Sequence, residues 1–293
     1  MNIAIIGPGA IGSLWASYLT DAGHQVNLWS RQSAAELTIQ RDQEAALSLL
    51  NNNEQALQQS DIILVTLKAP MVQTVLSTIA KCVHQDAIIV LMHNGMGTAP
   101  GVNALFPENP LLLATTTHGA YRPNAMQVLH TGKGQTLLGA INPKGEQCQF
   151  LIEVFNHALA EVTWHENINQ ALWNKLAINC AINPLSAINQ VRNGELAQQQ
   201  YQRQLQSIVD EISLVMAAER FDVDVHQLRQ TVEHVIHATS DNFSSMEQDI
   251  AHRRQSEIDF ITGYVLDKAA VHNIDVPTNL ALYQAIKQIE QSW

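Results

Sequence analysis

Residues 2–12, NIAIIGPGAIG, set a short run of strand-type residues directly against Gly7-Pro8-Gly9-Ala10-Ile11-Gly12, a G-x-G-x-x-G. An amphipathic helix from Ala10 to Ala22 is expected next, stopped by Gly23. Strand, glycine turn and helix N-terminus in that order open a βαβ unit that can bind the pyrophosphate of a dinucleotide. Gly7 permits the tight turn and Gly9 lets backbone approach a phosphate. Gly12 lets helix and strand pack closely, and the helix N-terminus adds partial positive charge. The motif alone is short and unspecific, and a glycine turn without a ligand is the bland alternative. Its position between strand and helix favours nucleotide binding.

The second strand, QVNLWS (25–30), ends on Ser30-Arg31. A carboxylate at this place accepts hydrogen bonds from the ribose 2′-hydroxyl of NAD and would repel the 2′-phosphate of NADP. An arginine does the reverse, so the chain is read as NADP-specific. Lys68, closing LVTLK, is a second cation at the carboxyl end of a strand. Either cation could instead be an ordinary solvated side chain.

The first half continues this alternation. DIILVTLK (61–68), AIIVLMHN (87–94) and LLLATTTH (111–118) read as strands and PMVQTVLSTIAKC (70–82) as a helix. The pattern implies a parallel, doubly wound Rossmann-type sheet. MQVLHTGKGQTLLGA (126–140) reads as an appended hairpin, and residues 33–58 give no clear element. Beyond residue 165 the spacing turns helical, at 167–188, 200–219, 225–240, 255–273 and 279–291. The expected class is therefore α/β, with a nucleotide-binding domain at 1–165 and an all-helical domain at 166–293.

A net charge of −11 argues against nucleic acid or an anionic membrane as partner, although a pocket can still be locally basic. Three cysteines, Cys82, Cys148 and Cys180, form neither a disulfide framework nor a metal spacing, and a reducing, cytoplasmic setting is expected. The N-terminus lacks the basic region of a signal peptide, and no apolar run reaches the ~18 residues of a membrane span. Twelve histidines without an H-E-x-x-H or other ligand spacing suggest no metal.

ALWNKLAINCAINPLSAI (171–188) is the most informative part of the helical half. Lys175, Asn179 and Asn183 are spaced i, i+4, i+8, so they fall within ~80° of one another on a helix. Their neighbours Leu172, Leu176, Ile178, Ala181 and Ile182 are apolar, so the helix is largely buried. Its polar groups then either satisfy each other and nearby backbone or line a cleft. Pro184 should kink the helix. Asn94 ends a strand before a glycine turn, and turn chemistry alone could explain it. Asn242, Ser244 and Ser245 lie between helices, where capping is the bland account. Glu257 is expected in the first turn of a helix, a place where carboxylates usually serve the dipole.

Taken in order, GPGAIG, LVTLKA, HNGMG, TTTHGA, ALWNKLAINCAINPLSAI, NGEL, NFSSM and EIDFITGYV make the chain resemble ketopantoate reductases (2-dehydropantoate 2-reductases) along almost its whole length. The resemblance implies a Rossmann domain paired with a helical domain, the active site between them. It implies reduction of the ketone of ketopantoate to (R)-pantoate with NADPH, on the route to pantothenate and coenzyme A. Carried over by motif, Gly7, Pro8, Gly9, Ala10, Ile11, Gly12, Arg31, Lys68, Asn94 and Ala120 would hold NADPH. Lys175 would be the catalytic lysine and also contact substrate. Asn179, Asn183, Asn193, Asn242 and Ser245 would bind substrate. Glu257 would lie near the nicotinamide ribose and the substrate. Two departures stand out: residues 33–58 lack the glycine-containing hairpin that many members show there, and Gly119 precedes Ala120 where another small residue often stands. A monomer or homodimer is expected. A reductase of another 2-keto acid and a non-catalytic NADPH-binding protein are the alternatives. The second has no use for Lys175 on its asparagine stripe.

Overall fold

The computed structural model describes all 293 residues. They form two compact units, Met1–His93 with Thr98–Ile168, and Asn94–Gly97 with Asn169–Trp293. In chain order the first unit begins β1 (Asn2–Ile6), α1 (Ala10–Asp21), β2 (Gln25–Trp29), β3 (Glu36–Arg41), β4 (Leu47–Leu50) and α2 (Glu54–Gln58). It continues β5 (Ile62–Val65), α3 (Ala69–Ile79), β6 (Ile88–Met92), α4 (Ala99–Leu105) and β7 (Leu111–Thr116). It closes with β8 (Gly119–Tyr121), β9 (Gln127–Gly132), β10 (Thr136–Ala140), α5 (Leu151–Ala158) and β11 (Val162–Trp164).

Strands β1, β5 and β6 are almost entirely Ile, Val and Leu and buried on both faces, as the middle of a helix-covered parallel sheet requires. The sheet order is β11-β10-β7-β6-β5-β1-β2. Strands β2, β1, β5, β6 and β7 are parallel, whereas β10 runs antiparallel to β7 and carries β11 beside it. The chain leaves β1 for β2 on one side and then returns to β5 on the other. That reversal places a ligand crevice at the carboxyl end of β1. The core beneath joins α1 to α5, with the Trp15 and Phe155 rings edge to face at 5.2 Å.

One expectation fails here. Residues 126–140 are not one hairpin, because β9 pairs with β8 and β3 while β10 pairs with β7 and β11. The link between them packs on the segment before β8: Gly134 lies against the backbone of Thr117, where a Cβ would come within 2.4 Å. Residues 33–58, which read as no clear element, form a hairpin, β3 with β4, which joins a second sheet of order β4-β3-β9-β8. Its turn uses no glycine. Asp42 takes the left-handed conformation instead (φ 49°), a role that Asp tolerates better than most residues.

The second unit is helical: α6 (Ile168–Asn189), α7 (Gln199–Ala218), α8 (Val225–Ala238), α9 (Ser245–Ala251), α10 (Thr262–His272) and α11 (Pro277–Gln291). Helix α6 passes unbroken through Pro184. Helix α10 starts later than its periodicity suggests. The carboxylate of Glu211 on α7 accepts both the Thr278 and Asn279 backbone N–H groups at 2.9 Å, closing the N-terminus of α11. No helix is long and apolar enough to cross a membrane.

Candidate functional site

In the first unit the glycine loop is fixed from both neighbouring strands. Gly7 has φ 86° and its N–H donates to the Trp29 carbonyl at 2.9 Å. The Thr66 hydroxyl donates to the Gly7 carbonyl at 2.7 Å. A Cβ on Gly12 would lie 2.3 Å from that hydroxyl and 2.7 Å from the Gly7 oxygen, so α1 rests on the strands through a glycine contact. Gly9 is the N-cap residue of α1. It offers no side-chain cap, and the first turn holds no carboxylate. An uncapped helix N-terminus free of negative charge, approached through glycine, fits an anionic pyrophosphate.

Arg31 and Lys68 are exposed beyond the carboxyl ends of β2 and β5, the two strands that flank β1. Asn52 pins the segment before and after Arg31, accepting the Ser30 N–H at 2.9 Å and donating to the Gln32 carbonyl at 2.7 Å. Lys68 is the N-cap residue of α3. Ala120 lies in β8 at a register shift against β9. Sequence reasoning missed Arg122, whose half-buried guanidinium donates to the Pro8 and Ala125 carbonyls. It grips the glycine loop from a different strand pair, which no local pattern in YRPN announces.

In the second unit, Lys175, Asn179 and Asn183 project from α6. Lys175 is partly buried, and desolvation lowers its pKa to about 8 against the opposing pull of the Glu257 carboxylate. Neither the Asn179 nor the Asn183 amide hydrogen-bonds within the protein, although Asn183 is only 7% exposed. The stripe therefore does not satisfy itself. Glu257 is buried too, but not in a helix: it precedes a single 3-10 turn, Ile258–Phe260, and α10 begins only at Thr262. It faces Lys175 rather than serving a helix dipole.

The remaining predicted residues divide. Asn193 is buried; its N–H donates to the Asn242 carbonyl at 2.9 Å and its amide to Thr239 at 3.0 Å, leaving Oδ1 buried and unpaired. Asn242 and Ser245 are exposed. Capping falls to Ser244, whose hydroxyl accepts the Glu247 N–H at 3.0 Å and contacts the Ser186 hydroxyl of α6 at 2.7 Å. Asn94 heads a four-residue loop that packs with the helices: the Met96 N–H donates to the Phe260 carbonyl at 2.8 Å. Positive φ at Gly95 and Gly97 lets this loop lie close against Phe260 and Tyr264.

Residues 3–143 match the family model for ketopantoate reductase PanE/ApbA, and residues 167–290 match the model for its C-terminal portion. The chain is 50% identical over 293 residues to the 2-dehydropantoate 2-reductase of Vibrio cholerae, covering 100% of this chain and 99% of that one. This chain belongs to the ketopantoate reductase family. Among solved structures, the PanE/ApbA family ketopantoate reductase from Ralstonia eutropha JMP134 is 25% identical, with a TM-score of 0.88 over 100% of this chain and 99% of that one. D-mandelate dehydrogenase, solved with NADH and anilino(oxo)acetate, is 23% identical with a TM-score of 0.92 over the same shares and shows a common fold. Members of the ketopantoate reductase family are NADPH-dependent oxidoreductases that reduce ketopantoate to pantoate.

Proposed function

We propose that this chain reduces 2-dehydropantoate to pantoate with NADPH, and that Lys175 is the general acid. The observation that carries the reading is a desolvated lysine, half-protonated near pH 8, beside a buried carboxylate and below two amides without protein partners. The N-terminus of α1 and Arg31 would hold the pyrophosphate and 2′-phosphate of NADPH, with Lys68, Asn94 and Ala120 as further contacts. When bound, the cofactor supplies a hydride. Negative charge then develops on the substrate's ketone oxygen, and the Lys175 ammonium both stabilises that charge and delivers the proton. Glu257 keeps the ammonium from losing its proton too early by favouring its charged form. Asn179, Asn183, Asn193, Asn242 and Ser245 would bind the carboxylate and hydroxyl of the substrate without adding charge. Residues 1–165 would thus serve the cofactor and 166–293 the substrate.

The net charge of −11 supports small, locally recognised anions over nucleic acid as partners, and free thiols support a cytoplasmic setting; the assembly would be a monomer or homodimer. The test is Lys175→Ala. Its kcat should fall by ~10²–10⁴, the usual worth of a positioned acid, with NADPH affinity retained. A folded variant keeping more than about a tenth of the wild-type kcat would move the proton donor elsewhere.

A further inference from the structure

Glu257 is placed by a turn that is itself clamped, and the clamp belongs to α11. Immediately before it, the Ser256 N–H and hydroxyl both donate to the Glu290 carboxylate, at 2.8 and 2.7 Å. Two residues after it, Asp259 accepts the Tyr283 hydroxyl at 2.7 Å on one oxygen and the Lys287 ammonium at 3.0 Å on the other. Lys287 also reaches Glu290 at 3.4 Å, so three side chains of α11 form one network over the turn. The far end of the turn is held as well, because the Phe260 carbonyl accepts the Met96 N–H. Between these anchors the Glu257 carbonyl accepts the Phe260 and Ile261 N–H groups, both at 3.0 Å. A 3-10 turn of three residues has too few internal bonds to hold a buried carboxylate in place by itself.

Resting on the reaction proposed above, we infer that Asp259, gripped by Tyr283 and Lys287, is a positioning residue that acts through Glu257 on Lys175. Asp259 touches no reacting group. The clamp fixes the turn, the turn fixes Glu257, and Glu257 sustains the charged form of Lys175. The titratable groups along this path are Lys175 on α6, Glu257 and Asp259 on the turn, Asp267 on α10, and Tyr283, Lys287 and Glu290 on α11.

The experiment combines two readouts on Asp259→Asn, Glu257→Gln and the double variant. Competitive labelling of Lys175 with acetic anhydride across pH, read by mass spectrometry, reports its titration without substrate. Steady-state NADPH oxidation with ketopantoate reports turnover. Asp259→Asn should move the Lys175 midpoint to lower pH and reduce kcat by about 3- to 30-fold, which lies inside the range for coupled neighbours. In the Glu257→Gln background it should cost nothing further. An unmoved midpoint with unchanged kcat overturns the inference, and so does an equal loss in both backgrounds, which marks a purely structural role. If Asp259→Asn does not fold, Tyr283→Phe removes one donor and leaves Lys287 in place. It should shift the midpoint in the same direction, and no shift is equally contrary. If the wild type does not turn over ketopantoate, the proposed function fails while the labelling still decides the clamp.

Discussion

At the scale of single residues, two side chains carry the most testable charge. With Lys175 as the proposed general acid, reduction would need it protonated before substrate binds, and burial lowers its pKa to about 8. The kcat/KM for the keto acid should therefore be flat below about pH 8 and fall tenfold per unit above it. This alkaline limb should vanish in Lys175→Ala, and a limb that survives assigns the titration to another group. Arg31 is exposed where a 2′-phosphate would need a partner. Removing one charge-assisted contact of ~1.5–3 kcal/mol should weaken NADPH binding by about 10- to 150-fold in Arg31→Ala. NADH binding should change little; equal losses for both cofactors would mean that Arg31 does not read the phosphate. Asn183→Ala should raise the KM for substrate more than that for NADPH, since its amide has no role within the protein to lose.

At the scale of elements, the glycine contact of α1 and the cap of α9 make separate claims. A methyl at Gly12 meets backbone as well as the Thr66 hydroxyl, so Gly12→Ala should cost about 1–3 kcal/mol in urea unfolding and weaken NADPH binding with it. Ser244→Ala removes the only side-chain cap of α9 and should cost about 1 kcal/mol. The glycine loop, the parallel strands and the stripe on α6 were legible because each is a local pattern: a fixed glycine spacing, a run of β-branched residues, a helical repeat. What was not legible is non-local. No pattern within 126–140 tells that Thr136–Ala140 will pair with Leu111–Thr116 rather than with its neighbour. The hairpin at 36–50 was hidden because Asp42 turns it in place of glycine. Arg122 and Asp259 matter through carbonyls and side chains far away in sequence, at Pro8 and at Tyr283 and Lys287. Glu257 was visible as a residue but not as Lys175's neighbour, since helical periodicity extended α10 back over the turn that presents it.

At the scale of the whole molecule, the fold leaves its thiols unequal. Cys148 and Cys180 are buried, and burial pushes the Cys180 thiol up to about 12, whereas Cys82 is partly exposed. Titration of the native protein with a thiol reagent should consume Cys82 alone, and all three only after denaturation. Rapid loss of Cys180 in the native state would mean that α6 opens. Ligand linkage offers a second global measure: NADPH at a hundred times its Kd should stabilise the chain by about 2.7 kcal/mol, a gain that Arg31→Ala should cut to about 0.3–1.4 kcal/mol at the same concentration. The reaction itself is tested most directly by NADPH oxidation with a panel of 2-keto acids. Ketopantoate reduction as the native activity predicts the highest kcat/KM with that substrate, and far less with NADH as donor. Greater kcat/KM with another 2-keto acid, or NADPH binding with no turnover of any, would contradict it.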